Sequence, residues 1–193
     1  MHRRRRPTLG GPARRDAGRR RLRRHIVLIG LPGSGKTTVA EQAAALLGAP
    51  CADVDAQVCL QAGKSVAEIF DTEGEEGFRT RERNAMEAAL DGPPQVIAAG
   101  GGWAAQPGQV AAAELRALLI YLSIAPVVAA RRLEGSTDRP LLRAADSGAR
   151  LTQLLAARER FYRLAAVEVA VDHATPETAA AAVATAARQY GGW

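Results

Sequence analysis

The stretch IVLIGLPGSGKTT, residues 26–38, decides the fold. Four apolar residues, Ile26 to Ile29, run directly into a glycine-rich turn and then into Lys36, Thr37 and Thr38. An apolar run this short, bounded by glycine, predicts a strand buried on both faces, as in a parallel sheet. The residues from Gly30 to Thr37 match G-x-x-x-x-G-K-[ST], between a strand and a helix, where that pattern has physical meaning. Glycines there let successive backbone N–H groups turn inward around phosphate oxygens. The helix N-terminus adds its positive end to the same anion site. Lys36 is then placed to bridge the β- and γ-phosphates of ATP, and the Thr37 hydroxyl to ligate Mg²⁺. The helix should run to about Leu47, stopped by Gly48 and Pro50.

Outward from this core the chain alternates. A short second strand leads to Asp53-Val54-Asp55, and further strands are expected at 95–99, 117–122 and 167–171. Helices are expected near 56–62, 75–91, 108–115, 125–132 and 148–164, and from Pro176 onward. Strictly alternating strands and helices imply right-handed crossovers, hence an α/β fold with a parallel sheet and helices on both faces. No internal repeat is visible.

A length of 193 residues fits one domain, and 47% hydrophobic content with 4% aromatic predicts a core of Ala, Leu and Val. The formal charge of +6 is unevenly placed. Residues 1–24 hold eleven Arg against one acid, Asp16, so they carry +10 and the remaining 169 residues carry −4. An Arg-, Gly- and Pro-rich segment with so little to bury predicts a disordered N-terminal extension over 1–24, ahead of a folded domain at 25–193. It reads as an inert extension, with a polyanion-binding arm (nucleic-acid contact) or a targeting segment as alternatives. Cys51 and Cys59 fit neither a redox pair nor a four-ligand zinc site and read as buried free thiols of a cytoplasmic protein. No run approaches the ~20 apolar residues of a membrane span, and the twin arginines lack a following apolar segment. Neither membrane association nor a signal peptide is expected.

The chemistry beyond the phosphate loop is constrained by an absence. Gln95 to Ala99 ends in Gly100, Gly101 and Gly102 with no carboxylate, so the metal-ordering acid must come from elsewhere. Asp53 is the best-placed candidate. No water-activating Gln or Arg is apparent, which favours a substrate hydroxyl as acceptor. Asp55 could accept a hydrogen bond from that hydroxyl. The pair could also be no more than a polar loop and helix cap.

At this point the chain resembles the shikimate kinases over nearly all of residues 25–176. The matching segments are GLPGSGKTT at 30–38, DVD at 53–55, SVAEIFDTEGEEGFRTRE at 65–82, GGG at 100–102, RPLL at 139–142 and RERFY at 158–162. The resemblance implies a three-layer P-loop kinase fold, like that of nucleoside monophosphate kinases, with a five-stranded parallel sheet and a mobile lid over about 133–147. It implies phosphorylation of shikimate by ATP with Mg²⁺, by direct in-line transfer, in a monomer.

The resemblance also assigns residues. Gly33, Ser34, Gly35, Lys36, Thr37 and Thr38 would hold the nucleotide phosphates. Arg132 would stack on adenine with Pro176 opposite, and Arg139 would close over the phosphates from the lid. Thr37 and Asp53 would organise the metal. Asp55 would hold the shikimate hydroxyls, while Arg79 and Arg158 grip its carboxylate and Gly100, Gly101 and Gly102 line the pocket. Lys36, Asp55 and Arg139 would be the catalytic groups. Two arginines suit a planar carboxylate better than two lysines would. Arg79 could instead serve only salt bridges to Glu75, Glu76 and Glu82 on its own helix. Arg160 stands where the family usually has Pro, and Trp103, following the glycines, would lie at the pocket or simply pack in the core. The loop at 172–176 is short for the family. Trp193, after Gly191 and Gly192, is expected to be mobile and solvated. Two other functions fit less of the chain: a gluconate kinase of the same fold, or a nucleotide-binding regulatory protein that uses the Arg-rich tail.

Overall fold

Every residue of the strand β1 (His25–Ile29) is buried, because it lies in the middle of a sheet with neighbours on both sides. The computed structural model describes residues 22–134 and 147–193. Arg139, nearly all of the expected lid at 133–147 and the first 21 residues lie outside that range. After β1 come α1 (Lys36–Leu47), β2 (Cys51–Asp53), α2 (Val54–Ala62), α3 (Val66–Asp91) and β3 (Val96–Ala98). A single 3-10 turn at Trp103–Ala105 precedes α4 (Gln109–Glu114), β4 (Ala117–Ser123), α5 (Pro126–Leu133), α6 (Ser147–Tyr162), β5 (Val167–Ala170) and α7 (Pro176–Tyr190).

The five strands form one parallel sheet in the order β2-β3-β1-β4-β5, flanked by helices. Ile26 pairs with Val96 on one side and Leu118 on the other, and Leu28 with Ala98 and Ile120. The central strands β1, β3 and β4 are buried almost throughout, whereas the edge strand β5 alternates between partly buried and exposed residues. Helices α1 and α7 pack side by side. Their buried faces, Val39, Ala40, Ala43 and Ala44 against an alanine-rich stripe from Ala179 to Ala187, use small side chains that let the backbones come close. All strands point the same way, so β1, β2 and β3 deliver Gly30, Asp53 and Gly100 to one edge of the sheet. In open α/β sheets that carboxyl edge is where ligands bind.

The strands fall within a residue or so of their expected places, and the helices differ instructively. Helix α2 starts at Val54 because Asp53 caps it, its Oδ1 accepting from the Ala56 N–H at 3.0 Å. Helix α3 begins at Val66, well before the expected 75, behind a capping box of Ser65 and Glu68. The backbone at Gly74 (φ 73°, ψ −178°) interrupts the helix, which explains why only its second half carries a continuous apolar period.

Three expectations need correcting. The expected tail was to extend through Arg24, but Arg23 and Arg24 are tied to the domain. Arg24 donates through its backbone to Gly191 O and through its guanidinium to the carbonyls of Glu114 and Ala117. Trp193, read as a solvated terminal residue, is half-buried, donates from Nε1 to Arg24 O at 2.9 Å and has the Arg23 guanidinium 4.8 Å from its ring centre. The cysteines are free, but Cys51 is exposed at the start of the edge strand β2 and Cys59 is only partly buried. No helix among the described residues is long and apolar enough to cross a membrane.

His25 provides a pH test of this packing. It is buried, and its Nδ1 has no hydrogen-bond partner among the described residues. Burial pushes its pKa down; backbone hydrogen bonding at Leu90 and Gly92 opposes this, and the positive charge of Arg116 reinforces it. The unfolded chain therefore takes up a proton at this site before the folded one does, and stability is lost as pH falls below about 6.5. Melting temperature should drop between pH 7.5 and 5.5, and His25→Gln should flatten that part of the curve. An unchanged slope in the variant would assign the acid sensitivity to other groups.

Candidate active site

The phosphate loop adopts backbone angles that its sequence demands. Gly33 has φ 84°, and a Cβ there would stand 2.8 Å from Ala129 O, so a side chain is excluded on both counts. Lys36 opens α1 and is only 7% exposed, with Nζ donating to the carbonyls of Gly30 and Leu31 at 3.0 Å each. No acidic residue lies in the first turn of α1 to neutralise its positive end. Thr37 Oγ1 donates to Asp53 Oδ2 at 2.5 Å. Asp53 is thus both a helix cap and the carboxylate beside the threonine, so capping does not exclude a further role for it. A hydroxyl and a carboxylate oxygen this close, next to phosphate-turning amides, form a hard-oxygen pair that fits Mg²⁺ with one or two protein ligands. No group of three or more His, Cys, Asp or Glu suited to a metal exists among the described residues.

Two clefts flank this loop. One, of about 240 Å³, is bounded by Gly33, Lys36, Thr37, Thr38, Asp53 and Asp55. The other, of about 190 Å³, is bounded by Ser34, Gly35, Thr38, Arg132, Thr175 and Pro176. Arg132 is held over the second cleft by donating to Val171 O at 2.6 Å, and Pro176 occupies the first turn of α7. The short 172–176 loop therefore still brings Pro176 to the same cleft as Arg132.

The residues expected on the acceptor side assemble on the glycine turn that follows β3, each glycine meeting a different group. Gly100 abuts two acids: a Cβ there would lie 2.0 Å from Glu82 Oε1 and 2.6 Å from Asp55 Oδ1. Gly101 O accepts from Arg158 Nη1 at 3.0 Å and from the Tyr162 hydroxyl at 2.7 Å. Gly102 has the Arg79 guanidinium where a side chain would project, 2.5 Å from a built Cβ. Pro32 of the phosphate loop packs against Gly101, which joins the two ends of the site. Arg79, on α3, and Arg158, on α6, thus meet on adjoining residues of one turn.

Arg79 keeps the salt bridges of its alternative reading, Nη1 to Glu82 at 2.8 Å and Nη2 to the exposed Glu75 at 3.2 Å. Glu82, read in the sequence only as one possible salt-bridge partner of Arg79, is a residue whose place in the site that reading missed. It is 0% exposed, with Oε2 shared between Arg79 and the Gln106 side-chain amide, and Oε1 buried without a partner among the described residues. Burial pushes its carboxyl up in pKa; Arg79 opposes this, and the charge of Asp55 adds to it. Gln106 is itself held by Arg83 at 3.0 Å. A signal was available, because Glu82 falls in the buried helical stripe Phe78, Glu82, Ala85, Met86 and Ala89, where an acid is costly. Trp103 settles on the core reading: it is 1% exposed behind the glycine turn and offers no surface to a ligand.

Residues 32–188 match the family model for shikimate kinase. The chain is 40% identical over 147 residues to the shikimate kinase of Nitrobacter winogradskyi, covering 76% of this chain and 69% of that one. Among solved structures, shikimate kinase from Acinetobacter baumannii in complex with shikimate superimposes with a TM-score of 0.81 at 30% identity, covering 85% of this chain and 92% of the other. A gluconokinase from Sinorhizobium meliloti is similar at TM-score 0.60 and 17% identity, covering 89% and 95%, a likeness of fold alone.

Gly100→Ala tests the packing of the turn. The added methyl must displace Glu82 and Asp55, so melting temperature should fall by several degrees, corresponding to the ~1–3 kcal/mol typical of overpacking. A variant as stable as the parent would show that the turn does not press on the two acids.

Proposed function

The chain belongs to the shikimate kinase family, and on that premise we propose how its own residues divide the transfer of the ATP γ-phosphoryl group to shikimate. The enzyme phosphorylates shikimate at the expense of ATP. The observation that supports the division of labour is the glycine turn, where two arginines and two acids from three helices come within contact of three consecutive residues.

The amides of Gly33 to Thr38 cradle the phosphates, and Lys36 exchanges its carbonyl partners for the β- and γ-phosphate oxygens. Arg132 and Pro176 enclose the adenine in the smaller cleft. Thr37 and Asp53 would hold Mg²⁺, which when bound supplies positive charge against the phosphate oxygens. Arg79 and Arg158 receive the shikimate carboxylate, and the backbone of Gly100, Gly101 and Gly102 lines the ring. Asp55 accepts a hydrogen bond from the attacking hydroxyl and aligns it with the γ-phosphorus, which is the positioning that phosphoryl transfer chiefly requires. Arg139, beyond the described residues, adds charge over the transferring group. Strand β3 is followed by Ala99 and the glycine turn rather than by an acid, which leaves room for a substrate hydroxyl beside Asp55. The reading extends to a monomer working in the cytoplasm.

ADP release with Mg-ATP should be far faster with shikimate than with gluconate, quinate or no acceptor. Equal rates with and without shikimate would sink the proposal. Lys36→Met should lower kcat by at least ~100-fold with shikimate saturating, because the charge it meets develops in the transition state. Arg79→Lys keeps a cation beside Glu82 but loses the planar fork, so KM for shikimate should rise about ten-fold or more while kcat changes less. Arg139→Ala should do the reverse, lowering kcat more than it changes either KM. Loss of ATP affinity alone in both variants would overturn the division of the pocket.

A further inference from the structure

One contact at the glycine turn is left without a role by the reaction as described. Tyr162 and Arg158 stand four residues apart on α6, which puts them on one face of the helix, and both donate to the same carbonyl, Gly101 O, at 2.7 and 3.0 Å. Tyr162 is 1% exposed and its ring is fixed by stacking on Tyr121, with centroids 5.3 Å apart. Burial raises the pKa of its hydroxyl, with the neighbouring Arg158 pulling the other way, so at neutral pH it is a proton donor in a fixed place. A carbonyl oxygen has two lone pairs, and here each meets a donor. With both taken, the Gly101 peptide cannot rotate without losing a hydrogen bond.

We propose that Tyr162 is a positioning residue for the acceptor: by holding the Gly101 carbonyl, it fixes the guanidinium of Arg158, through Nη1, so that the remaining Nε–Nη2 edge is presented to the substrate carboxylate. The inference rests on the reading of Arg158 as a carboxylate ligand. A guanidinium has five donors in a rigid plane, so anchoring one nitrogen sets the direction of the opposite edge. The same hydrogen bond stiffens the turn whose neighbouring residues contact Asp55 and Arg79. Tyr162 touches no reacting atom in this scheme. It acts through Gly101 and Arg158.

The test is a double-mutant cycle of Tyr162→Phe and Arg158→Ala in the full chain, read as KM and kcat for shikimate, KM for ATP and melting temperature. Phenylalanine keeps the stacked ring and removes only the hydroxyl. A lost hydrogen bond of ordinary strength corresponds to a three- to ten-fold rise in shikimate KM, with kcat and the KM for ATP changed less than two-fold. In the Arg158→Ala background the same change should have no further effect, since the residue through which it acts is gone. An analogue carrying a hydroxymethyl group in place of the carboxylate should bind the parent and Tyr162→Phe equally. Additive effects in the cycle, an unchanged shikimate KM in Tyr162→Phe, or a parallel loss of ATP affinity and melting temperature would each overturn the inference. If Arg158→Ala raises shikimate KM and Tyr162→Phe does not, the inference alone fails. If Arg158→Ala leaves shikimate KM unchanged, the reading of Arg158 fails and takes the inference with it.

Discussion

The half of the site proposed to take the acceptor depends on the packing of three glycines just after β3. Strand β3 lies between β1 and β2 in the sheet, so its carboxyl end comes out beside both the phosphate loop and the Asp53–Asp55 segment. A chain leaving that point with side chains would separate the groups around it. Without them, Asp55 and Glu82 close on Gly100, Arg158 and Tyr162 on the carbonyl of Gly101, and Arg79 on Gly102. Helices α2, α3 and α6 are thereby brought to one place by a backbone that only glycine permits. The contact of Pro32 with Gly101 then couples this turn to the nucleotide loop.

Electrostatics explains why the cluster needs so many partners. A fully buried carboxylate such as Glu82 is expensive unless its oxygens are satisfied, and here only one oxygen is, by Arg79 and Gln106. Its direct effect is to hold the Arg79 guanidinium by Nη1 from the protein side. The other arginine bond, to exposed Glu75, competes with water and is easily surrendered. The buried bond therefore fixes the arginine and the exposed one leaves it available, an asymmetry that suits the carboxylate-binding role proposed for it. Retaining a costly acid in a helix stripe otherwise made of Phe78, Ala85, Met86 and Ala89 is consistent with function rather than stability setting the residue type there.

How much was legible in the sequence follows from how local each signal is. Strand β1 and the phosphate loop could be read because period, glycine register and the lysine all lie within a dozen residues. Asp53 and Asp55 could be read as candidates, but only the structure shows that one carboxylate caps α2 and meets Thr37 at once. Glu82 was hidden because its helix carries several acids, and exposed Glu75 and buried Glu82 look alike until Gly100, far along the chain, is placed against one of them. The early turns of α3 were hidden by Gly74, whose positive φ breaks the helical period, and the capping box of Ser65 and Glu68 emerges only in the structure. Trp193 was misread for a related reason: a tryptophan after Gly191 and Gly192 looks loose, and its partner, Arg24 O, lies 169 residues away. Trp103 stayed open between pocket and core because its place after the glycines argues for one and its bulk for the other.

The cations to which the proposed function gives substrate anions share a property that bears on turnover. Lys36 sits on the carbonyls of Gly30 and Leu31, Arg158 on that of Gly101, and Arg79 on Glu75 as well as Glu82. For each cation, meeting a substrate anion is an exchange of hydrogen-bond partners rather than the making of a bond from nothing, so the net gain per contact is modest even though the bonds themselves are strong. Exchange of this kind limits how tightly substrate and product are held, while leaving undiminished any interaction that strengthens only as charge moves to the transferring phosphoryl group. Binding that is uniform across the reaction does nothing for kcat, whereas binding reserved for the transition state raises it. On the proposed roles, the partners that Lys36, Arg79 and Arg158 already have within the protein therefore favour release of products as much as assembly of reactants.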